Sequence, residues 1–351
     1  MRRLTVLSTA YPLAPVSPDA VGGSEQVLSG LDRALVAAGH RSIVVACEGS
    51  NTAGELRPIP GVPHGQVLDD DTVTARRAAT WDAMVDVLQT TAVDVIHMHG
   101  LDFHAYLPPP GPPLLATLHL PPSWYPDWAF APANRSDIWV NCVSRSQMEA
   151  APPSPRMLPP ILNGVPVDEL GAVSRRRCRF ALMLARICPE KGIHLALDAA
   201  HAAGVPLLIA GEVFPYEAHQ AYFRDKILPR LDRLRRYIGP VGFSQKRRLL
   251  SAARCLLVPS LVAETSSLVA MEAAACGTPV VAFGNGALPE VVEHGRTGFV
   301  VHTLQAMAEA IGDVGAISPQ ECRTVAEARF SVQRMAGAYM DRYQMLAASR
   351  A

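Results

Sequence analysis

The sequence predicts an α/β protein made of two doubly wound domains, each with a parallel sheet covered by helices. Short apolar runs of strand length alternate with amphipathic helical patterns along the whole chain. This alternation starts again in the second half, and 351 residues is a length typical of two domains. Strands that alternate with helices favour parallel sheets with helices on both faces.

The first half contains five strand candidates. They are Leu4–Ser8, Ser42–Cys47, Val93–His97, Leu114–His119 and Ile138–Ser144. An apolar stripe from Val27 to Leu35 predicts the first helix, with Ser24 as its N-cap and Gly39 at its end.

The second half contains six more strand candidates and follows a proline-rich stretch, Ala150–Pro160. The candidates are Phe180–Ala185, Pro206–Ala210, Tyr237–Val241, Cys255–Pro259, Val280–Phe283 and Gly298–Val301. We therefore place one domain at residues 1–165 and a second at residues 166–330. The last segment, residues 331–351, is expected to form a helix that packs back on the first domain.

Composition excludes some classes of function. Lys and Arg together number 32, as do Asp and Glu, so the chain lacks the basic excess typical of nucleic-acid-binding proteins. The seven cysteines include no Cys-x-x-Cys pair, which is typical of reduced thiols in a cytoplasmic protein. No apolar stretch reaches the 18 residues or so of a transmembrane helix, although peripheral membrane contact stays open.

The segment from Pro259 to Pro279 carries the strongest chemical signal. Glu264 lies in a loop after a strand, and Glu272 lies eight positions later in a predicted helix, a span on the order of 12 Å. That spacing suits one carboxylate on a transferred sugar and one on a nucleotide ribose. A diphosphate between them would meet the free amides and the positive dipole end of the helix, at Ser266, Ser267 and Leu268.

Five other residues, in three places along the chain, fit the same ligand. Arg186 and Lys191 follow the first strand of the second domain and can neutralise a diphosphate. Gly22 and Gly23 follow the first strand of the chain and allow close backbone approach to a phosphate or sugar. His119 lies at the end of a strand candidate. It is either a residue that contacts this ligand or a structural histidine.

These motifs, in this order, resemble retaining glycosyltransferase family 4, whose signature is two glutamates separated by seven residues. The resemblance includes Gly22-Gly23-Ser24-Glu25, Gly39-His40, Asn163-Gly164-Val165, Arg186–Gly192, Pro289-Glu290 and Gly295–Gly298. It implies the GT-B fold, in which two Rossmann-like domains face each other across a cleft. The N-terminal domain would be the acceptor side and the C-terminal domain the donor side.

The resemblance also implies an activity. A hexosyltransferase would move a hexose-type sugar from a nucleoside-diphosphate sugar to a hydroxyl of a small-molecule, glycan or lipid acceptor, with retention and without metal or other cofactor. Glu264, Arg186, Lys191 and His119 would be the catalytic residues. The family commonly has glycine-aromatic-glycine where this chain has Thr265-Ser266-Ser267, so neither the sugar nor the base (UDP, GDP or dTDP) carries over.

Two alternatives stay open at this point. One is a sugar-nucleotide epimerase or phosphorylase of similar two-domain shape, and the other is a non-catalytic protein that binds nucleotide sugars. Three motifs are expected to have no catalytic role. Asp69–Asp71 is expected to be a solvated loop and N-cap, Lys246–Arg248 a solvated flank, and the His97/His99 pair to bind no metal.

Overall fold

The computed structural model describes residues 2–62, 69–130, 135–171 and 178–348. The chain divides into two compact units. Unit 1 comprises Met1–Gly164 and Val332–Ala351, and unit 2 comprises Val165–Ser331. Among the described residues, no helix combines the length and the apolar character needed to cross a membrane.

Unit 1 contains a parallel sheet of seven strands in the order β3-β2-β1-β4-β5-β6-β7. Its strands are β1 Thr5–Thr9, β2 Arg41–Cys47, β3 Glu55–Ile59, β4 Val95–Met98, β5 Leu114–Leu118, β6 Ile138–Cys142 and β7 Met157–Leu158. The five predicted strands are present, while β3 and β7 were not predicted. Neither follows an apolar pattern, because β3 is a mostly half-exposed edge strand and β7 has two residues.

The helices of unit 1 are α1 Gly23–Ala37, α2 Asp70–Thr90, α3 Arg145–Glu149 and α12 Val332–Ala348. Asp69 is the N-cap of α2, since its carboxylate accepts from the Thr72 amide at 2.8 Å. This confirms the N-cap expected at Asp69–Asp71. Gly39 follows the end of α1 with φ +80°, as expected of a terminating glycine.

The prediction that Ser24 caps α1 is wrong. The helix already begins at Gly23, with the extended Gly22 at the N-cap. The Ser24 hydroxyl instead donates to Glu25 Oε1 at 2.9 Å.

Unit 2 contains a parallel sheet of six strands in the order β10-β9-β8-β11-β12-β13. Its strands are β8 Ala181–Leu184, β9 Leu207–Ala210, β10 Arg235–Tyr237, β11 Cys255–Val258, β12 Val280–Phe283 and β13 Gly298–Val301. All six predicted strands are present. The third, β10, lies earlier than the predicted Tyr237–Val241, because Arg235–Tyr237 pair with Leu207–Ile209 and Gly239 turns the chain with φ +77°.

Eight α-helices are assigned among the described residues of unit 2. They are α4 Val167–Gly171, α5 Ile193–Ala202, α6 Glu217–Tyr222, α7 Phe243–Ala252, α8 Leu268–Ala275, α9 Leu288–Val291, α10 Leu304–Asp313 and α11 Pro319–Phe330. Each sheet carries buried apolar residues on its helix-covered faces, including Ile43 and Ile96 in unit 1 and Ile209 and Val281 in unit 2. Both units are therefore doubly wound α/β structures, which confirms the predicted fold class.

Candidate active site

Two neighbouring strands of unit 2 bring the predicted cations and the first glutamate together. The strand order reverses between β8 and β11, and ligands of doubly wound sheets bind at the carboxyl ends of such strands. Arg186 and Lys191 lie in the loop after β8, whereas Glu264 lies in the loop after β11. The topology therefore explains why Lys191 and Glu264, 73 positions apart in the chain, come into contact.

Lys191 and Glu264 form an ion pair within this site. Lys191 Nζ donates to Glu264 Oε1 at 2.6 Å, and the two side chains are 24% and 13% exposed. Arg186 is exposed, and no ion pair to it is found within the described segments. The lysine that is expected to neutralise a diphosphate is thus held by the glutamate.

The backbone around Glu264 is fixed from two sides. On one side, the Leu261 amide donates to the Glu190 carbonyl at 2.8 Å. On the other, the Ala287 amide donates to the Glu264 carbonyl at 2.7 Å, and Gly286 pairs with Glu264 in an isolated β-bridge. This loop therefore presents the Glu264 carboxylate from a rigid backbone.

Helix α8 begins at Leu268, with Ser267 at its N-cap position. The Ser267 carbonyl accepts from the Ala270 and Met271 amides, while the Ser267 side chain makes no capping bond. Amides in the first turn of a helix have no partner within the helix. Beside them, the Ser266 hydroxyl is buried and has no hydrogen-bond partner in the part of the chain that the structure describes.

Glu272, inside α8, forms a second and more buried ion pair. Lys246 Nζ, from the first turns of α7, lies 2.5 Å from Glu272 Oε1, and these side chains are 14% and 4% exposed. The expectation that Lys246–Arg248 is a solvated flank is therefore wrong for Lys246. Sequence reasoning missed this residue because a Lys-Arg-Arg run on a helix is usually solvent-facing. The only sequence signal is that Lys246 lies in the first turn of a helix that follows Gly242.

A group with metal-ligating atoms lies beside the loop after β8. Ligand atoms of Cys188, Glu190 and His219 lie within 4.8 Å of one another. Burial raises the pKa of the Cys188 thiol to about 11, and burial together with nearby Arg186 lowers the pKa of His219. At neutral pH the thiol is therefore protonated and less suited to bind a metal, and Arg186 and Lys191 add positive charge.

The glycine motif Gly22-Gly23 belongs to unit 1, at the start of α1. A side chain at Gly22 would meet the Glu25 carboxylate, since a Cβ built there lies 1.8 Å from Glu25 Oε2. Glu25 itself is 3% exposed. In the ligand-free chain, the anion beside the N-terminus of α1 is thus the protein's own carboxylate.

His119 follows directly after β5 in unit 1, and its backbone amide donates to the Tyr125 hydroxyl at 3.1 Å. Its ring Nε2 lies 3.2 Å from His99 Nδ1, and His99 Nε2 lies 3.1 Å from His97 Nδ1. The His97 ring also contacts the Tyr343 hydroxyl at 2.6 Å and the Thr117 hydroxyl at 2.7 Å. Both nitrogens of His97 are therefore engaged with other side chains.

Two family models match the chain. The model described as Glycosyltransferase Family 4 matches residues 21–150, and that described as Glycosyl transferases group 1 matches residues 179–315. The first range includes Gly22, Gly23 and His119, and the second includes Arg186, Lys191, Glu264 and Glu272.

Curated relatives match parts of the chain. The D-inositol 3-phosphate glycosyltransferase of Streptomyces scabiei is 46% identical over 80 residues, which is 22% of this chain and 18% of that protein. The alpha-maltose-1-phosphate synthase of Mycobacterium tuberculosis is 32% identical over 210 residues, or 51% of either chain. The chain thus matches about half or less of the length of these relatives.

Solved structures match almost the whole chain. AviGT4, a glycosyltransferase involved in avilamycin A biosynthesis, has a TM-score of 0.74 at 24% identity, with 98% of both chains covered. Anabaena HepE in complex with UDP-glucose has a TM-score of 0.73 at 19% identity, covering 98% of this chain and 100% of that chain. These likenesses establish the GT-B fold. With two family models that together span most of its length, the chain belongs to the glycosyltransferases of group 1, family 4.

Proposed function

We propose that the chain is a retaining, metal-independent glycosyltransferase that transfers a hexose-type sugar from a nucleoside-diphosphate sugar to a hydroxyl acceptor. The observation that carries the proposal is the occurrence of two ion pairs on either side of the α8 N-terminus, the partly buried Lys191–Glu264 and the more buried Lys246–Glu272. The two carboxylates are held by cations, and the amides of the first turn of α8 lie between them in sequence. This arrangement suits a ligand that is polar at both ends and anionic in the middle.

The donor would bind in unit 2. Its diphosphate would lie against the α8 N-terminus, where the buried Ser266 hydroxyl offers an unused hydrogen-bonding group. Glu264 would orient the sugar, and Glu272 would accept hydrogen bonds from the ribose. Ligand hydroxyls and phosphates would compete for Lys191 and Lys246, so both ion pairs would rearrange upon binding. HepE binds UDP-glucose, which supports a nucleotide-sugar donor of this kind.

In the reaction, the acceptor oxygen would form a bond to the anomeric carbon on the face from which the diphosphate leaves. The bond between that carbon and the diphosphate oxygen breaks, and the acceptor proton passes to the departing diphosphate. Arg186, Lys191 and the helix amides would stabilise the negative charge that grows on the leaving group. Such a mechanism needs no separate general base and no metal ion.

The test is a screen of UDP-, GDP-, ADP- and dTDP-sugars for release of nucleoside diphosphate, first with water and then with a panel of hydroxyl acceptors. An active donor should give slow hydrolysis that an acceptor accelerates, with retained anomeric configuration in the product. A protein that only binds nucleotide sugars would show affinity without release, and an epimerase would change the sugar while it stays on the nucleotide. Inversion at the anomeric carbon would also contradict the proposal.

The double variant Arg186→Ala/Lys191→Ala tests leaving-group stabilisation with the donor and acceptor that are found active in this screen. It should lower kcat by roughly 100-fold or more, as for lost oxyanion donors, rather than only raise KM. Lys226→Ala is the matched control, because Lys226 is an exposed lysine of the same unit. A folded double variant with near wild-type kcat would remove these residues from the mechanism.

A further inference from the structure

Two tryptophans of unit 1, Trp124 and Trp128, are exposed in the loop that follows β5. Trp124 is 62% exposed and Trp128 is 50% exposed, although tryptophan is on average a strongly buried residue. The loop leaves the carboxyl end of β5, and doubly wound sheets bind their ligands at this edge. The two exposed rings therefore lie at the edge of unit 1 where a ligand is expected.

Each tryptophan belongs to one copy of a short repeated motif. Pro122–Trp124 and Pro126–Trp128 both consist of a proline, a polar residue and a tryptophan. The polar residues, Ser123 and Asp127, are exposed like the tryptophans that follow them. Both tryptophans lie in 3₁₀ turns. Each exposed indole ring thus has an exposed hydrogen-bonding side chain beside it in the chain.

Buried contacts hold the backbone that carries the two rings. Tyr125, between the two motif copies, is 5% exposed, and its hydroxyl accepts from the His119 and Leu120 amides at 3.1 Å. Phe130, at the end of the loop, is buried, and its carbonyl accepts from the Ser154 hydroxyl at 2.6 Å. Because these contacts and the prolines fix the loop before a ligand arrives, binding would cost little conformational entropy.

An aromatic ring next to hydrogen-bonding groups suits a saccharide ring. The C–H groups on one face of a pyranose are apolar and slightly positive, so they pack well on the negative face of an indole ring. The hydroxyl groups at the rim of the same sugar can bond to side chains such as Ser123 and Asp127, which would fix its orientation. The motif therefore combines the two contacts that a sugar requires.

The charge of the loop argues against two other ligands. Residues Leu120–Phe130 include one aspartate and no lysine or arginine. Attraction to an anionic membrane surface depends on basic residues, and so does binding to a nucleic-acid backbone. Neither ligand accounts for the two exposed tryptophans.

We propose that Trp124 and Trp128 form a subsite that stacks on a saccharide ring of the acceptor, which is then a glycan or a glycosylated small molecule. The carboxylates proposed to bind the donor, Glu264 and Glu272, lie in unit 2, so we assign this subsite of unit 1 to the acceptor. Saccharide binding follows from unit 1 alone, whereas the assignment to the acceptor rests on the proposed function. The two tryptophans select the acceptor and take no part in bond breaking.

Saccharide binding can be tested without turnover in the full-length chain. The chain has four tryptophans, whose indole N–H signals can be followed by ¹H–¹⁵N NMR and assigned with Trp124→Phe and Trp128→Phe. The probes are the methyl pyranosides of glucose, galactose, mannose and rhamnose. At least one should shift the signals of both tryptophans, whereas mannitol, which has hydroxyl groups but no ring, should shift neither. If no pyranoside shifts them, or if mannitol shifts them equally, the inference is wrong.

Kinetics with the donor and acceptor found in the screen above test the assignment to the acceptor. Trp124→Ala and Trp128→Ala should each raise the KM for the acceptor roughly 3- to 10-fold, the size of one aromatic stacking contact. Phenylalanine at either position retains an aromatic face and should recover most of the loss. Hydrolysis of the donor in water should stay at the wild-type rate.

Met345→Ala is the matched control. Met345 is another large apolar residue of unit 1 and is 49% exposed. It follows Gln344, whose side chain donates to the Arg2 carbonyl ahead of β1, at the opposite edge of the sheet. This variant should have the wild-type KM for the acceptor.

Several results would overturn the inference. They are an unchanged acceptor KM in both alanine variants, an active acceptor without a saccharide ring, and a loss of donor hydrolysis equal to the loss of transfer. Analytical ultracentrifugation tests another occupant, since self-association of the wild type that the double alanine variant abolishes would make the pair a contact between copies. If no nucleotide sugar is turned over, the proposed function fails, while the pyranoside titration still decides whether the tryptophans bind a saccharide.

Discussion

At the scale of single residues, sequence motifs identify the candidate carboxylates, whereas the side chains that contact those carboxylates depend on tertiary structure. The signature segment pointed to Glu264 and Glu272, but nothing local to Lys246 showed that it would reach Glu272 from α7. Likewise, the sequence pattern at His97 and His99 led only to the expectation that this pair binds no metal. The pattern gave no sign that His97 would contact the hydroxyl of Tyr343, 246 positions away in the chain.

The buried pair Lys246–Glu272 gives a prediction for both binding and stability. Glu272→Ala should weaken the affinity for the free nucleoside diphosphate by about 1.5–3 kcal/mol, since it would remove the proposed hydrogen bonds from the ribose to a charged group. It should also lower the free energy of unfolding by roughly 3 kcal/mol, because it leaves Lys246 buried and unpaired. Calorimetric titration and urea unfolding measure the two quantities.

A second substitution separates these two effects. Lys246→Met combined with Glu272→Ala removes the unpaired charge and should recover stability without recovering affinity, as a double-mutant cycle would show. A folded Glu272→Ala protein that binds the nucleotide as tightly as the wild type would refute the ribose role of Glu272.

At the scale of elements, the apolar patterns predicted the buried strands because burial on both faces leaves a continuous apolar run. The edge strands were harder to predict. The first, β3, is Glu-Leu-Arg-Pro-Ile and follows no apolar pattern, and β10 contains two arginines. Their positions depend on pairing with a neighbouring strand, which is information that a local pattern does not contain. The N-cap of α1 was misplaced by two residues, from Gly22 to Ser24, because a glycine and a serine both lie at the start of this helix.

The element that presents Glu264 depends on a glycine with a left-handed backbone. Gly286 has φ +62°, and an alanine Cβ there would lie 2.3 Å from the Glu264 carbonyl oxygen. Gly286→Ala should therefore displace the Glu264 loop and reduce donor turnover strongly, in addition to a conformational cost of about 1–2 kcal/mol. Steady-state kinetics and urea unfolding would report the two effects.

Gly295→Ala is the matched control for that substitution. Gly295 has φ +78°, and no heavy atom lies within 4 Å of the Cβ position. This variant should have the same conformational cost of about 1–2 kcal/mol and nearly wild-type turnover. Equal turnover in the two variants would show that contact with Gly286 does not position Glu264.

At the scale of the whole molecule, acid should destabilise unit 1 through its buried histidines. His97, His99 and His119 are neutral when folded, because burial lowers their pKa values from 6.5, to about 4 for His119. Above pH 6.5 these histidines do not make the free energy of unfolding depend on pH, since they are neutral in both the folded and the unfolded chain. As the pH falls from 6.5 toward 4, the unfolded chain takes up protons that the folded chain does not, and stability is lost.

Each of these histidines should lower the free energy of unfolding by up to about 1.4 kcal/mol per pH unit in that window. Urea unfolding at pH 7 and pH 5 would measure the loss, and His119→Gln should reduce it. Equal stability of the wild type at both pH values would contradict the prediction.

The last prediction concerns metal ions and the reaction as a whole. Turnover should persist in excess EDTA, because in the proposed mechanism Arg186 and Lys191 would supply the positive charge that Mg²⁺ supplies to other leaving diphosphates. A metal ion bound by Cys188, Glu190 and His219 would contradict this prediction. The ligand atoms of these residues lie within 4.8 Å of one another beside the same loop. Its thiol has a pKa raised to about 11 by burial, so a metal ion would first have to displace that proton. The assay would compare the wild type with His219→Ala, with and without EDTA and with Zn²⁺, Mn²⁺ or Mg²⁺ added back. EDTA could abolish turnover, with a metal restoring it in the wild type but not in His219→Ala. The reaction would then depend on a metal held by Cys188, Glu190 and His219. Leaving-group stabilisation by Arg186 and Lys191 alone would be wrong.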